Sequence, residues 1–287
     1  MERKHKIVAE KIKAPFSNLN LLKSNMISFD YHIHTNYSSD AHNSVLQMAQ
    51  TADTLGLKSI YLTDHEEMYA VIPSPTPTNF INRKIDIEEA RVQFPNIYIS
   101  NGVEVGLNPD EADEIINFIK QNQFDFVIGA IHKYERKEVY YNEYERTEDY
   151  FSLLYESIKA IPNFNIVAHI DRIYIAKGVY VCRQMIYKMF KGKIDAILKL
   201  LIDSGRGLEV NMNAYYFGEK YPYPSLDILR AYKQFGGEIL TLGSDAHADK
   251  HLEFLMGFQE RTFNHIKEAG FDRIMYYQSG EYLKCFL

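Results

Sequence analysis

Residues 26–65 read MISFDYHIHTNYSSDAHNSVLQMAQTADTLGLKSIYLTDH. A β-prone apolar run at 27–33 leads into a polar loop. A stretch at 44–55 then carries apolar residues at three- and four-residue spacing, and a second β-prone run follows at 59–62. This is a strand–helix–strand unit, with Asn43 placed to cap the helix and Gly56 to stop it. The rhythm continues along the chain. β-prone runs at 97–101, 126–131, 165–168, 207–210 and 238–242 alternate with helical patterns at 111–120, 147–161, 193–203, 225–235 and 252–269. Gly205 and the pair Gly236 and Gly237 stand just past helix ends. Such alternation predicts a parallel α/β architecture. Seven units in about 260 residues favour a closed barrel, with an open doubly wound sheet as the alternative. Residues 71–91, VIPSPTPTNFINRKIDIEEAR, begin with three prolines and read as a long loop beside a substrate entrance. Residues 1–25 are polar and lysine-rich and read as an N-terminal extension. Residues 26–287 read as a single domain.

The histidines and carboxylates fall in a pattern on this frame. Asp30, His32 and His34 lie on the first strand and its end, followed by Asp40 and His42 in the first loop. Asp64 and His65 end the second strand, Glu104 follows the third, His132 ends the fourth, and His169 ends the fifth with Asp171 close behind. Glu209, Asn211 and Asn213 lie at the end of the sixth, and Asp245 and His247 end the seventh. In an α/β barrel all these ends open onto one face, where active sites are built. His32 and His34 are two apart on a strand and share a face, as do Asp245 and His247. Taken singly, His132 reads as an ordinary surface or core histidine, and Asp171 and Asn213 as helix caps. Ligand-type residues at every strand end are hard to explain that way. Imidazole and carboxylate suit zinc, iron or manganese. Metal ions neutralise a phosphate monoester and lower the pKa of water toward neutrality, so a metal-dependent phosphoesterase is the chemistry expected. His5, His251 and His265 fall outside the pattern and read as surface residues.

Composition narrows the field further. Of 287 residues 46% are hydrophobic and 24% charged, ordinary values for a globular domain. Thirty-two basic and 38 acidic residues give a formal charge of −6, which does not suit general nucleic-acid binding. Two cysteines, Cys182 and Cys285, offer neither a disulfide framework nor a cysteine zinc knuckle. No apolar run is long enough to span a membrane, and no signal-peptide core opens the chain. A cytoplasmic setting is expected. Oligomeric state is left open by the sequence.

The segments FDYHIHTNYSSDA, YLTDH, NGVEVG, IGAIH, VAHID, LEVNMN and GSDAH, in this order over about residues 26–270, resemble the PHP (polymerase and histidinol phosphatase) superfamily. The resemblance implies a distorted (β/α)7 barrel with the metal site at the C-terminal ends of its strands. It implies a site of two or three divalent or trivalent metal ions, usually three, in which His32, His34, Glu104 and Asp245 bind one ion. Glu104 would bridge to a second, held also by His132 and His169, and Asp40, His65 and His247 would hold the third. Asp30 and Asp64 would orient imidazoles from behind. Length and motif spacing are most similar to the histidinol-phosphate phosphatases of that superfamily. The tracts KYERKEVYYNEYER and NMNAYYFGEKYPYPS depart from them.

The expected reaction is in-line attack on phosphorus by a metal-bridging hydroxide, releasing phosphate from L-histidinol phosphate in histidine biosynthesis. Arg172 is the first candidate cation for the phosphate, with Lys133, Lys177 and Arg206 behind it. Asp64 or His247 is the candidate proton donor. Glu209 or Asn211 is the candidate reader of a substrate amino group, and Tyr134, Tyr140, Tyr141, Tyr215, Tyr216, Tyr221 and Tyr223 are candidate pocket walls. Two competing readings are kept: a PHP phosphoesterase of nucleotides or oligonucleotide ends, favoured by a basic groove, and a non-catalytic interaction module, favoured by lost ligands.

Overall fold

Within the β-prone run at 27–33, Phe29–Ile33 pairs in parallel with the run at 59–62. In the computed structural model, residues 28–68, 78–132, 142–173, 183–278 and 280–287 are described. The extension 1–25, Lys133, Lys177, Tyr134, Tyr140, Tyr141 and most of the proline tract fall outside them.

In chain order the first half holds β1 (Phe29–Ile33), α1 (Val45–Thr54), β2 (Ser59–Leu62), the short β3 (His65–Glu66), α2 (Phe80–Gln93), β4 (Tyr98–Gly106), α3 (Ala112–Asn122) and β5 (Phe126–Ala130). The second half holds α4 (Glu143–Ala160), β6 (Ile166–Val167), α5 (Arg183–Met189), α6 (Lys191–Asp203), β7 (Gly207–Asn211), α7 (Asn213–Tyr216), α8 (Leu226–Gln234) and β8 (Leu240–Gly243). Last come α9 (Asp249–Met256), α10 (Gln259–Glu268), β9 (Arg273–Gln278) and β10 (Glu281–Phe286).

The sheet order is β1-β2-β4-β5-β6-β7-β8, all parallel, with β3 paired on β4. The two edges meet at one end. Ile33 bridges to Ala246, the Asp245 amide donates to His32 O at 2.7 Å, and the His34 amide donates to Ala246 O at 2.9 Å. These contacts close seven strands into a distorted barrel, with closure at the C-terminal ends where the histidines cluster. Between Asp30 and Ile33 the register of β1 against β2 slips, a bulge of the kind that re-aims side chains beside active sites.

Several elements differ from the sequence-based expectation. Residues 80–93 form α2, although the proline tract before them suggested a loop throughout. Arg83, Ile87 and Ala90 bury one face of that helix, and Asn79 caps it by accepting from the Asn82 amide at 3.0 Å. The cap of α1 is Ser44, in a reciprocal capping box with Gln47, whereas Asn43 Oδ1 accepts from the Asp249 amide. The predicted helix at 252–269 is two helices with Gly257 and Phe258 between them. β4 runs on to Gly106, so Glu104 lies within a strand rather than after one.

The C-terminal β9–β10 hairpin was not anticipated. It covers the base of the barrel, where strands begin. Tyr276 packs on Phe29 at 5.3 Å, Tyr282 Oη donates to Asn165 O at 3.3 Å, and Tyr61 Oη donates to Tyr277 O. Tyr31 stacks on Tyr61 at 4.1 Å and lies 5.2 Å from Phe126, so aromatic side chains fill the floor beneath the histidines. Among the described residues no helix is long and apolar enough to cross a membrane.

Candidate metal centre

β4 carries Glu104 to the centre of the barrel mouth, fully buried. Five imidazoles converge on its two oxygens. Oε2 lies 3.1 Å from His32 Nε2, 3.5 Å from His34 Nε2 and 3.0 Å from His65 Nδ1. Oε1 lies 3.3 Å from His132 Nε2 and 3.1 Å from His169 Nε2. Asp245 Oδ1 adds a second carboxylate, 3.6 Å from His32 Nε2 and 3.3 Å from His34 Nε2. Further out, Asp40 Oδ2 lies 3.3 Å from His247 Nε2 and 3.7 Å from His65 Nε2. The fold thus gathers all nine side chains singled out as ligands.

These separations have a simple reading. Donors bound to one ion at 2.0–2.1 Å in a tetrahedral shell stand about 3.3–3.4 Å apart. Three overlapping groups bring their ligand atoms within 4.8 Å of one another: His32, His34 and Asp245; His65, Glu104 and His132; and His34, His65 and His247. The inward-facing His32 Nε2, His34 Nε2, His65 Nδ1, His132 Nε2, Glu104 Oε2 and Asp245 Oδ1 are buried without a hydrogen-bond partner. Buried polar atoms are seldom left so, and six of them facing one another fit positive ions. The donor set, nitrogen and carboxylate oxygen without sulfur, fits zinc, iron or manganese.

Electrostatics agree with this. Burial opposes ionisation of Glu104, but His32, His132 and His65 override it and hold the carboxyl well below the usual carboxylate range. Burial likewise opposes the charge on Asp245, and His32 and Arg172 hold it low. Two of the nine sit in backbone that L-residues rarely adopt: His169 has φ 27° and Asp245 φ 58°. Such conformations cost about 1–3 kcal/mol each and persist where surrounding structure enforces them.

A layer of partners fixes the imidazoles from behind. His32 Nδ1 meets Glu209 Oε1 at 2.6 Å, and His34 Nδ1 meets Ser38 Oγ at 3.1 Å. His132 Nδ1 meets Glu67 Oε1 at 2.6 Å, and His247 Nδ1 meets the Asp245 carbonyl at 2.9 Å. Each contact leaves the opposite ring nitrogen facing the centre. Gly243 makes room for one of them, because a Cβ there would lie 2.2 Å from Glu209 Oε1 and 2.5 Å from His32 Cβ. Asp245 Oδ2 receives Arg172 Nη1 and Asn213 Nδ2, each at 2.9 Å, which leaves Oδ1 for the centre.

Several expected roles need correction. Asp64 is fully buried and is not placed to donate a proton. Its oxygens are engaged by the Thr35 amide and hydroxyl, by Ser38 Oγ at 2.8 Å, and by an ion pair with Arg83 Nε at 2.7 Å. Among the described residues it makes no hydrogen bond to an imidazole, and it reaches His34 through Ser38. Asp30 also touches no ring: it accepts from the amides of His32 and Ser244 and ties the barrel's edges together. His247 has both nitrogens engaged, by Asp245 O and Asp40, so it is not a free acid. Glu209 and Asn211 are buried behind the clustered imidazoles, where Glu209 also accepts from the His169 amide at 3.1 Å and from Asn211 Nδ2 at 2.8 Å. Neither can read a substrate amine. Arg206 donates to the Ile158 and Ile161 carbonyls at the start of β7, away from the mouth.

His251 and His265 are buried rather than on the surface: His251 accepts from the His247 amide, and His265 meets Pro224 O at 3.2 Å. Tyr215 packs on Phe258 inside the fold, while Tyr216 is exposed. Arg172 lies at the edge of the centre, over the Phe217 ring at 5.6 Å. His42 is exposed, and its amide donates to the His247 carbonyl at 3.4 Å. Glu67, Ser38 and Arg83 were missed. For Glu67 the sequence held one signal, a carboxylate two residues after His65.

A family model described as PHP domain matches residues 30–213. The chain is 28% identical over 260 residues to the histidinol-phosphatase of Lactococcus lactis subsp. lactis, a match covering 87% of this chain and 94% of that protein. It is 25% identical over 232 residues to a probable histidinol-phosphatase of Clostridium acetobutylicum, covering 76% and 86%. Among solved structures, the histidinol phosphate phosphatase from Lactococcus lactis, complexed with zinc, L-histidinol and phosphate, superposes with a TM-score of 0.75 at 24% identity. That match covers 90% of this chain and 100% of that one, a likeness of fold.

Proposed function

The chain belongs to the PHP domain family, and on that premise we propose that it is a metal-dependent phosphomonoesterase whose substrate is L-histidinol phosphate. One observation carries the chemistry: five imidazoles packed around the buried Glu104, with Asp245 beside two of them and unpartnered donor atoms turned inward. The substrate rests on a histidinol-phosphatase and a probable histidinol-phosphatase, each matched over most of this chain. His32, His34, Glu104 and Asp245 are assigned to one ion, Glu104, His132 and His169 to a second, and Asp40, His65 and His247 to a third. A cytoplasmic setting is part of this reading, in keeping with the buried free thiol of Cys285.

Bound there, the ions would neutralise the phosphate oxygens and lower the pKa of water toward neutrality. The chain's own residues do the rest. Arg172, which donates to Asp245 and lies over the Phe217 ring, stands at the edge of the cluster, where its fixed positive charge would favour a phosphate oxygen. Glu104 and Asp245 set the negative charge that holds cations in place. The aromatic floor of Tyr31, Tyr61 and Phe126 seals the centre from below.

The test is phosphate release measured in parallel from L-histidinol phosphate, nucleoside monophosphates and p-nitrophenyl phosphate. Histidinol phosphate should lead, and chelation should abolish turnover. Arg172→Ala should lower kcat/KM by about a hundredfold, with Arg172→Lys recovering part of it. Preferred turnover of nucleotides would move the protein to a different substrate on the same centre. A purified protein that binds no metal under any condition would end the metal reading.

A further inference from the structure

Four imidazoles of the cluster are held from behind, but not by equivalent groups. His34 leans on a hydroxyl and His247 on a carbonyl, while His32 and His132 lean on carboxylates, each at 2.6 Å. The carboxylate behind His32 is Glu209, deep in the barrel. The one behind His132 is Glu67, in the loop after β3, with its side chain 23% exposed. Glu67 reaches its place by crossing β4 at a glycine. A Cβ on Gly106 would stand 2.0 Å from Glu67 Oε2 and 2.5 Å from Glu67 Cδ, so any other residue would push the carboxylate away. The loop sequence and the bare strand backbone together aim this carboxylate at one ring nitrogen.

We propose that Glu67 is a positioning residue for one ion subsite. It accepts the Nδ1 proton of His132, fixes that tautomer, and holds Nε2 beside Glu104 Oε1, where an ion shared with His169 binds. The proposal rests on the metal reading above. The 2.6 Å contact is a short, charge-assisted hydrogen bond, the kind that raises the basicity of the opposite nitrogen. His132 Nε2 has no hydrogen-bond partner and lies 3.3 Å from Glu104 Oε1, the separation of two donors sharing an ion. Without Glu67 the ring is free to take the other tautomer, which turns an N–H toward the ion and removes the lone pair it needs. The subsite of His132 and His169 should feel this most, because the rings of His32, His34 and His247 have their own supports in Glu209, Ser38 and the Asp245 carbonyl.

The experiment counts ions per chain by elemental analysis after dialysis of metal-loaded protein against a graded series of zinc buffers. In Glu67→Leu, one ion per chain should dissociate at free zinc about 10–100-fold higher than in the wild type, with the remaining ions held as before. Glu67→Gln keeps an acceptor and loses the charge, so its shift should be smaller. Gly106→Ala keeps the carboxylate but displaces it, and should reproduce the single-ion loss. Unchanged ion counts in Glu67→Leu and Gly106→Ala would overturn the proposal. Loss of every ion together, with a matching fall in melting temperature, would make Glu67 a structural residue and overturn it too. A wild-type protein that takes up no zinc at all would instead remove the metal reading beneath it.

Discussion

Glu104→Gln should strip at least two ions from the protein and lower phosphate release at least about a thousandfold, equivalent to roughly 4 kcal/mol of lost transition-state stabilisation. The substitution keeps the side chain's size and removes one negative charge. Both Glu104 oxygens are needed, one facing His32, His34 and His65, the other facing His132 and His169. An amide offers one poor acceptor and turns N–H donors toward cations. Among the described residues no other carboxylate stands between the two groups of imidazoles, and Asp245 Oδ1 faces His32, His34 and His247. Elemental analysis and the histidinol phosphate assay on one preparation check both halves. Full metal content with full activity would show that Glu104 is not the bridge.

The same substitution separates two pH behaviours of the metal-free protein. With ions removed, the buried Glu104 carboxylate is compensated by protonated imidazoles. Burial opposes the charge on His65, but Glu104 and Asp40 raise its pKa to about 10; burial opposes that on His132, but Glu104 and Glu67 raise it to about 9. Both lie above the ordinary value of 6.5, so their stabilisation is complete below pH 6.5 and is lost as pH rises through 9 to 10. Chelated wild type should therefore melt at progressively lower temperature above pH 8 or so, and chelated Glu104→Gln should show a much flatter profile.

What could be read in the sequence was whatever depends on local period and position. The proposed ligands were legible because each ends or follows a β-prone run, and strands of a parallel barrel all point their ends the same way. The partners behind them were not, because their roles are decided by distant elements. Glu209 follows a strand just as His169 does, yet it sits behind His32, 177 residues away in sequence. Nothing in LEVNMN says whether its carboxylate faces the mouth or the core. Asp64 beside His65 looked like a ring-orienting acid. Its true partner, Arg83, lies in a segment whose prolines suggested a loop. Period also failed for the hairpin β9–β10, where RIMYYQ and EYLKCF around Gly280 carry strand-like character but close the barrel's floor instead of extending its sheet.

Arg83→Met should be the most destabilising of the substitutions considered, by about 3–5 kcal/mol, because it leaves one member of a buried ion pair without its partner. Arg83 is fully buried. Its Nε lies 2.7 Å from Asp64 Oδ2, its Nη2 donates to the Leu62 and Gly102 carbonyls, and its Nη1 donates to Asn101 Oδ1 at 3.3 Å. Methionine fills most of the volume and satisfies none of these groups. For a domain of this size the loss corresponds to a fall in melting temperature of about 10 °C. It should also reach the metal centre. Asp64 accepts from Ser38 Oγ, and Ser38 in turn meets His34 Nδ1 and the His65 amide, so a displaced Asp64 loosens two of the proposed ligands at once. Ion affinity should therefore fall along with stability, most at the subsites of His34 and His65. The double variant Arg83→Met with Asp64→Asn no longer buries an unpaired charge, and should be more stable than Arg83→Met alone. Urea melts of the chelated single and double variants decide the matter. Equal loss in both would mean that the carbonyl contacts of Arg83 to β2 and β4, and not the ion pair, hold α2 against the barrel.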